Sequence, residues 1–142
     1  MESVFYNNYY EELGKGNIDY TTNTFKLMLM TTSYTPNVDT EAFRADISGE
    51  ASGTNYTAGG QAVDNVTLTQ DNTNDRAVVD FDAEVFSNVT LSNVDAAILY
   101  KDTGNSATDV LICYIDFTEG PQNVFANDFT VTPDAVGVLT IG

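Results

Sequence analysis

The side chains that could do chemistry in this chain are carboxylates, hydroxyls and one thiol. Its 142 residues include 21 acidic and 5 basic ones, a single cysteine and no histidine. Histidine is the usual general acid/base near neutral pH and the commonest metal ligand. Without it, Ser-His-Asp and Cys-His nucleophiles and imidazole-bearing zinc sites cannot be assembled. Asp80 and Asp82 share one face of a predicted strand, and Glu11 and Glu12 lie close on a predicted helix. Paired carboxylates serve a glycosidase when they face each other about 5–9 Å apart in a cleft. A chain this acidic makes such pairs by chance and has no Trp for a sugar platform, so glycosidase chemistry is not favoured.

Other patterns also have a plainer reading. Asp71-Asn72-Thr73-Asn74-Asp75 spaces its oxygens as a calcium loop does, but the position where such a loop needs glycine is Arg76. A solvated turn accounts for it better. Gly14-Lys15-Gly16 and Ala58-Gly59-Gly60 lack the Lys-Ser/Thr ending and the strand-to-helix setting of a phosphate loop. Cys113 has no partner cysteine and sits in the apolar run from Leu111 to Phe117, which predicts a buried core residue, not a reactive thiol. A lone cysteine also implies no reliance on an oxidising compartment. The glycosylation-like triplets at Asn55, Asn65 and Asn88 are expected by chance in a chain rich in Asn and Thr. No enzyme activity, metal or cofactor is expected.

The net charge is −16, and Lys15, Lys26, Arg44, Arg76 and Lys101 are scattered without forming a stripe. This argues against nucleic acid and against anionic membranes. No run approaches the roughly 18 apolar residues of a membrane span. The first residues do not read as a signal peptide, so synthesis and folding in the cytoplasm are expected. The acidity keeps copies soluble and mutually repelling, or fits a partner with a less acidic or basic surface.

Residues 1–14 read as a short amphipathic helix, capped by Ser3, with Phe5, Tyr9 and Leu13 at helical spacing and Gly14 and Gly16 ending it. It is expected to pack on the body or to project towards a neighbour. Thr24 to Thr32 alternates with both faces largely apolar, as in a strand covered twice. Asp39 to Ile47 holds a helical turn capped by Asp39 or Thr40, and Gly49 to Gly60 is an ordered loop. Strands follow at Ala62 to Thr69, Arg76 to Asp82, Phe86 to Leu91, Phe129 to Thr132 and Val136 to Ile141. The clearest hairpin joins Asp95–Lys101 to Val110–Phe117, with both arms apolar on two faces. Seven or eight strands in one 142-residue domain predict a mainly β fold, an antiparallel β-sandwich with a short N-terminal helix.

Several strings resemble a known family when read in order. They are Gly16-Asn17-Ile18-Asp19, Thr24-Phe25-Lys26-Leu27-Met28-Leu29-Met30 leading to Thr32-Ser33-Tyr34-Thr35-Pro36, and Ser52-Gly53-Thr54-Asn55-Tyr56-Thr57-Ala58-Gly59-Gly60-Gln61. After them come Thr69-Gln70-Asp71-Asn72-Thr73-Asn74-Asp75-Arg76-Ala77, Ile98-Leu99-Tyr100-Lys101-Asp102-Thr103-Gly104 and Leu111-Ile112-Cys113-Tyr114-Ile115-Asp116-Phe117. The order and spacing resemble, over nearly the whole chain, small acidic virion structural proteins of tailed bacteriophages. The resemblance implies capsid decoration: a cement protein on the outer surface of the head, often a homotrimer, that clamps neighbouring major capsid subunits. It implies no catalytic residues. The chain departs from the family between Glu119 and Asn127, where Gly120-Pro121-Gln122 and Phe125 replace a variable, more polar loop, which leaves open whether the contact surface is the same.

Contact with the capsid or a neighbouring subunit is expected from Val4, Phe5, Tyr6, Tyr9 and Tyr10, and from Tyr56 and Gln61 in the Gly53–Gln61 loop. Loss of residues 1–13 should then abolish capsid binding and leave a β signal, or unfold the chain if the segment is core. Alternative roles are a tail or head–tail connector component of the same virion and, from another class, a carbohydrate-binding adhesin-like module.

Overall fold

A strand that is apolar on both faces must be covered twice, and the fold is arranged around that requirement. The computed structural model describes residues 2–134 and 139–141. Its strands are β1 (Glu2–Phe5), β2 (Thr24–Thr31), β3 (Gln61–Ala62), β4 (Thr67–Asp71), β5 (Arg76–Asp80), β6 (Glu84–Asp102), β7 (Leu111–Asp116), β8 (Gln122–Val131) and β9 (Leu139–Ile141). One α-helix, α1 (Asn7–Gly14), follows β1. The larger sheet runs β1-β7-β6-β2-β3, with β8 paired to the first half of β6; the smaller runs β4-β5-β9. Every pairing is antiparallel. The fold is mainly β and sandwich-like, with one short N-terminal helix.

Register explains how the two faces sort. Leu27 lies opposite Leu99, Leu99 opposite Cys113, and Cys113 opposite Phe5, which makes one row across four strands. Met28, Ile98, Tyr114 and Val4 form the neighbouring row, pointing to the other face. The first row belongs to the larger core, which also takes in Val79 of β5 and packs Ile141 of β9 against it. Among the described residues no sheet lies over the second face. Tyr6, Tyr34, Val38 and Ile47 cover it from the irregular segments.

The first half of β6 pairs only with β8 and forms a bent ribbon whose register shifts three times. Asn88, Asn93 and Ala126 take left-handed backbone angles (φ 50°, 56° and 45°) along it. Side chains from the facing strand replace lost ladder bonds. The Asn88 amide donates to Asp128 Oδ1 (2.9 Å), the Asn93 amide to Asn123 Oδ1 (2.9 Å), and the Ala126 amide to Thr90 Oγ1 (3.0 Å). One amide at each irregularity thereby keeps a hydrogen-bond partner.

Several expectations are corrected. The helix begins at Asn7, not near Ser3: Ser3 lies in β1 opposite Ile115, and the N-cap residue is Tyr6, which makes no side-chain cap. Pairing with β7 satisfies backbone groups that a helix start would leave open, and it lays Phe5 on the core face. Ala62–Thr69 is not one strand; it divides at Asn65 (φ 54°), so that β3 and β4 enter different sheets. Phe86–Leu91 and Asp95–Lys101 are a single 19-residue strand. The stretch from Glu119 to Asn127 contains the start of β8 instead of a loop. The helical turn is 3-10 (Arg44–Asp46), and the Asp46 carboxylate accepts the Ala42 and Phe43 amides, roles assigned to neither Asp39 nor Thr40. Of the expected last strand, Leu139–Ile141 is strand, and 136–138 lie outside the described residues.

Deleting residues 1–13 removes β1 together with the fully buried Tyr6 and Tyr9. The truncated chain is expected to lose its cooperative thermal transition, followed by far-UV circular dichroism. A retained sharp transition would show that β1 and α1 are dispensable to the core.

Candidate functional site

β1 is a terminal strand of the larger sheet, so one of its two hydrogen-bonding edges has no partner among the described residues. Beside that edge Val4 is 44% exposed and Tyr10 55%. The Phe5 ring stacks on Tyr9 (5.9 Å between centroids) and meets Tyr10 edge-on (6.1 Å). A cleft of about 260 Å³ opens between α1 and β9, lined by Phe5, Tyr9, Tyr10, Leu13, Thr140 and Ile141.

The expected N-terminal contact group therefore divides. Val4 and Tyr10 are accessible and Phe5 is half-buried, whereas Tyr6 and Tyr9 are enclosed in the domain. Helical spacing does not separate these roles, because the chain leaves the strand at Phe5 and turns into the helix only at Asn7. The Tyr6 and Tyr34 hydroxyls are 2.7 Å apart, and Tyr34 donates onward to Glu41 Oε2 (2.7 Å). Tyr20 donates to the Tyr9 hydroxyl (2.8 Å). Burial pushes the pKa of all four phenols up, so they remain neutral hydrogen-bonding groups. Their contribution is internal.

The second expected group, in the Gly53–Gln61 loop, also turns inward. The Tyr56 hydroxyl accepts the Leu29 amide (2.9 Å) and donates to Glu50 Oε1 (2.8 Å), which also accepts the Gly59 amide (2.6 Å). Tyr100 donates to the Gly59 carbonyl (2.6 Å). Gln61 Nε2 donates to Glu84 Oε2 (2.9 Å) and to the Val85 carbonyl (3.0 Å), and buried Glu84 also accepts the Asp64 amide (3.1 Å). Gly60 (φ 76°) has no room for a side chain, since a Cβ would overlap the Leu27 carbonyl. Tyr56 and Gln61 are clamps that hold the loop, and the loop presents Ser52 to Asn55 outward.

The basic side chains and several of the acidic ones are similarly committed. Fully buried Asp109 accepts from Arg44 Nε (2.8 Å), the Thr103 amide (2.7 Å) and the Thr103 hydroxyl (2.8 Å). Arg44 also lies over the Tyr100 ring, 5.5 Å from its centroid. Lys15 pairs with Glu11 and Glu12, Lys26 with Asp102, Arg76 with Asp71, and Lys101 donates to the Asn17 carbonyl. Asp71 accepts the Thr73 and Asn74 amides, so its oxygens are spent on the turn. Asp80 accepts the Phe81 amide and Asp82 the Asn65 side chain. Among the described residues no three Cys, Asp or Glu side chains are grouped to hold a metal ion.

One exposed residue has no counterpart in the expected group. Phe125, at the bulge of β8, is 85% exposed, the highest of the large apolar side chains among the described residues. Reading Glu119–Asn127 as a loop hides it. The signal that points to it is the scarcity of charge in that stretch of an otherwise acidic sequence.

The chain matches no protein-family model, no curated protein and no solved structure.

Two outcomes follow from the buried groups. Burial pushes the Cys113 thiol up to about 12. Alkylation at pH 8 is expected to be negligible in the native protein and complete in denaturant, as read by intact-mass spectrometry. Native labelling at the unfolded rate would contradict the buried placement. Burial alone would raise the Asp109 carboxyl, but the Thr103 amide, the Arg44 guanidinium and the Thr103 hydroxyl outweigh it and hold the pKa below the ordinary value. A depressed carboxylate contributes stability above its unfolded pKa of about 3.9, and that contribution is lost as pH falls through the folded value. The urea midpoint of Asp109→Asn should thus fall less than that of the wild type on acidification below about pH 4. Parallel losses in the two proteins would show that Asp109 contributes no such term.

Proposed function

We propose that this chain is a non-enzymatic structural subunit of a tailed-bacteriophage virion, a decoration protein on the outside of the head. The observation that carries the reading is the free edge of β1 with exposed Val4 and Tyr10 beside it. An open edge offers backbone hydrogen bonds to an extended segment of a partner, and flanking apolar side chains give that pairing its register. The strings that resemble small acidic virion proteins point the same way, as does an inventory without histidine.

The partner in this reading is the major capsid protein, and the decorating unit is a homo-oligomer, with a trimer favoured. Each contact can be weak, because an oligomer that bridges several capsid subunits gains through effective concentration. Binding orders little of a chain whose loops are already clamped by Tyr56, Tyr100 and Gln61. The net charge of −16 keeps free copies apart before assembly.

Quantitative mass spectrometry of purified virions tests the assignment. The expected result is a copy number comparable with that of the major capsid protein. A few dozen copies or fewer would place the chain in the tail or connector, and absence from the virion would discard the structural reading.

A further inference from the structure

Charge is spread unevenly along this chain. Residues 51–63, 85–94 and 120–127 contain no Asp, Glu, Lys or Arg, in a sequence with 21 acidic and 5 basic residues. The fold brings these three segments together. β8 pairs with the first half of β6 from Glu84 opposite Val131 to Val94 opposite Gln122. The loop lies against β6 too: the Thr90 amide donates to the Thr54 carbonyl (3.2 Å), and Asn55 Nδ2 donates to the Asn88 carbonyl (2.9 Å). Its approach is close enough that a Cβ at Gly53 would overlap the Thr90 carbonyl. The result is a ribbon with a flanking loop, largely exposed and almost without charge. The acid inside β8, Asp128, has Oδ1 bonded to the Asn88 amide.

Phe125 stands on this ribbon with 85% of its surface exposed. The bulge holds it there: Ala126 is left-handed (φ 45°), and its amide is tied to Thr90 Oγ1. β8 is ten residues long and, among the described residues, has no strand on its outer side.

We propose that the β6–β8 ribbon is a self-association surface, on which a second copy of this chain docks with Phe125 as the anchor. The charge pattern selects this occupant. Two copies that each carry −16 repel wherever their acids meet, so they approach more closely through a region cleared of acids, as this one is. A basic partner would gain from acidic residues at its contact, and clearing them would weaken its binding. The inference does not rest on the virion reading, and the purified chain alone tests it.

Sedimentation velocity of the full chain across a concentration series is the experiment. The wild type is expected to sediment as an oligomer and Phe125→Asp as a monomer with an unchanged far-UV spectrum. Ser92→Glu, which places an acid on the exposed part of the same ribbon, is expected to weaken association as well. Leu68→Asp, on the exposed side of β4, is expected to match the wild type. Raising salt from about 0.15 M to about 1 M shortens the Debye length from about 8 Å to about 3 Å, and association is expected to strengthen as self-repulsion is screened. A monomeric wild type at both salts would overturn the proposal. So would dissociation on adding salt, or oligomers of Phe125→Asp and Ser92→Glu as stable as those of the wild type.

Discussion

Three neighbouring strands, β2, the second half of β6 and β7, are apolar on both faces, and the remaining architecture follows from covering them. Sheets buried on two sides need a layer above and a layer below. On one side the smaller sheet and α1 supply it, through Val79, Ile141, Tyr9 and Leu13. On the other side the chain uses Tyr34, Val38 and Ile47 from an irregular stretch. Irregular backbone is costly to bury because its amides and carbonyls lack a ladder. Here Leu111 donates to Ala42, Arg44 to Asp109 and Ala45 to Ser106, so the covering segment is joined to β7 and to the loop before it.

Tyrosine is the residue that makes both covering layers workable. A phenol has an apolar ring to bury and a hydroxyl that can tie a loop to something else. Tyr6 reaches Tyr34, Tyr34 reaches Glu41, Tyr20 reaches Tyr9, Tyr56 joins Leu29 to Glu50, and Tyr100 reaches Gly59. Aromatic abundance in a sequence can signal an interface, but most of these rings are used inside the domain. Among the described residues the large apolar side chains that remain outside are Val4 and Tyr10 by the β1 edge, Leu68 and Val85 on strand surfaces, and Phe125 on the bulged ribbon.

Period-two alternation at Thr24–Thr31 and the apolar arms at Asp95–Lys101 and Leu111–Asp116 make the central strands legible, because burial on two faces leaves an unmistakable pattern. The loop from Gly49 to Gly60 and the turn at Asp71–Asp75 are legible from their Gly, Asn and Asp content. The start of the chain is not. Phe5, Tyr9 and Leu13 satisfy helical spacing, yet Glu2–Phe5 pairs with β7 because an open strand edge captures it. β8 is similarly hidden, since its bulges break the alternation that would announce a strand.

Composition and local pattern by themselves determined the β character of the chain, its central strands and its buried Cys113. These depend on residue type and near-neighbour spacing. Which aromatic side chains reach solvent was decided only by the tertiary structure. Tyr9 and Tyr10 are adjacent in sequence, and one is enclosed while the other is half-exposed because α1 lies with one side on β7. The uncharged segments 51–63, 85–94 and 120–127 are equally ordinary when read in order. They become one surface because long-range antiparallel pairing brings distant residues side by side, and no local pattern encodes that juxtaposition.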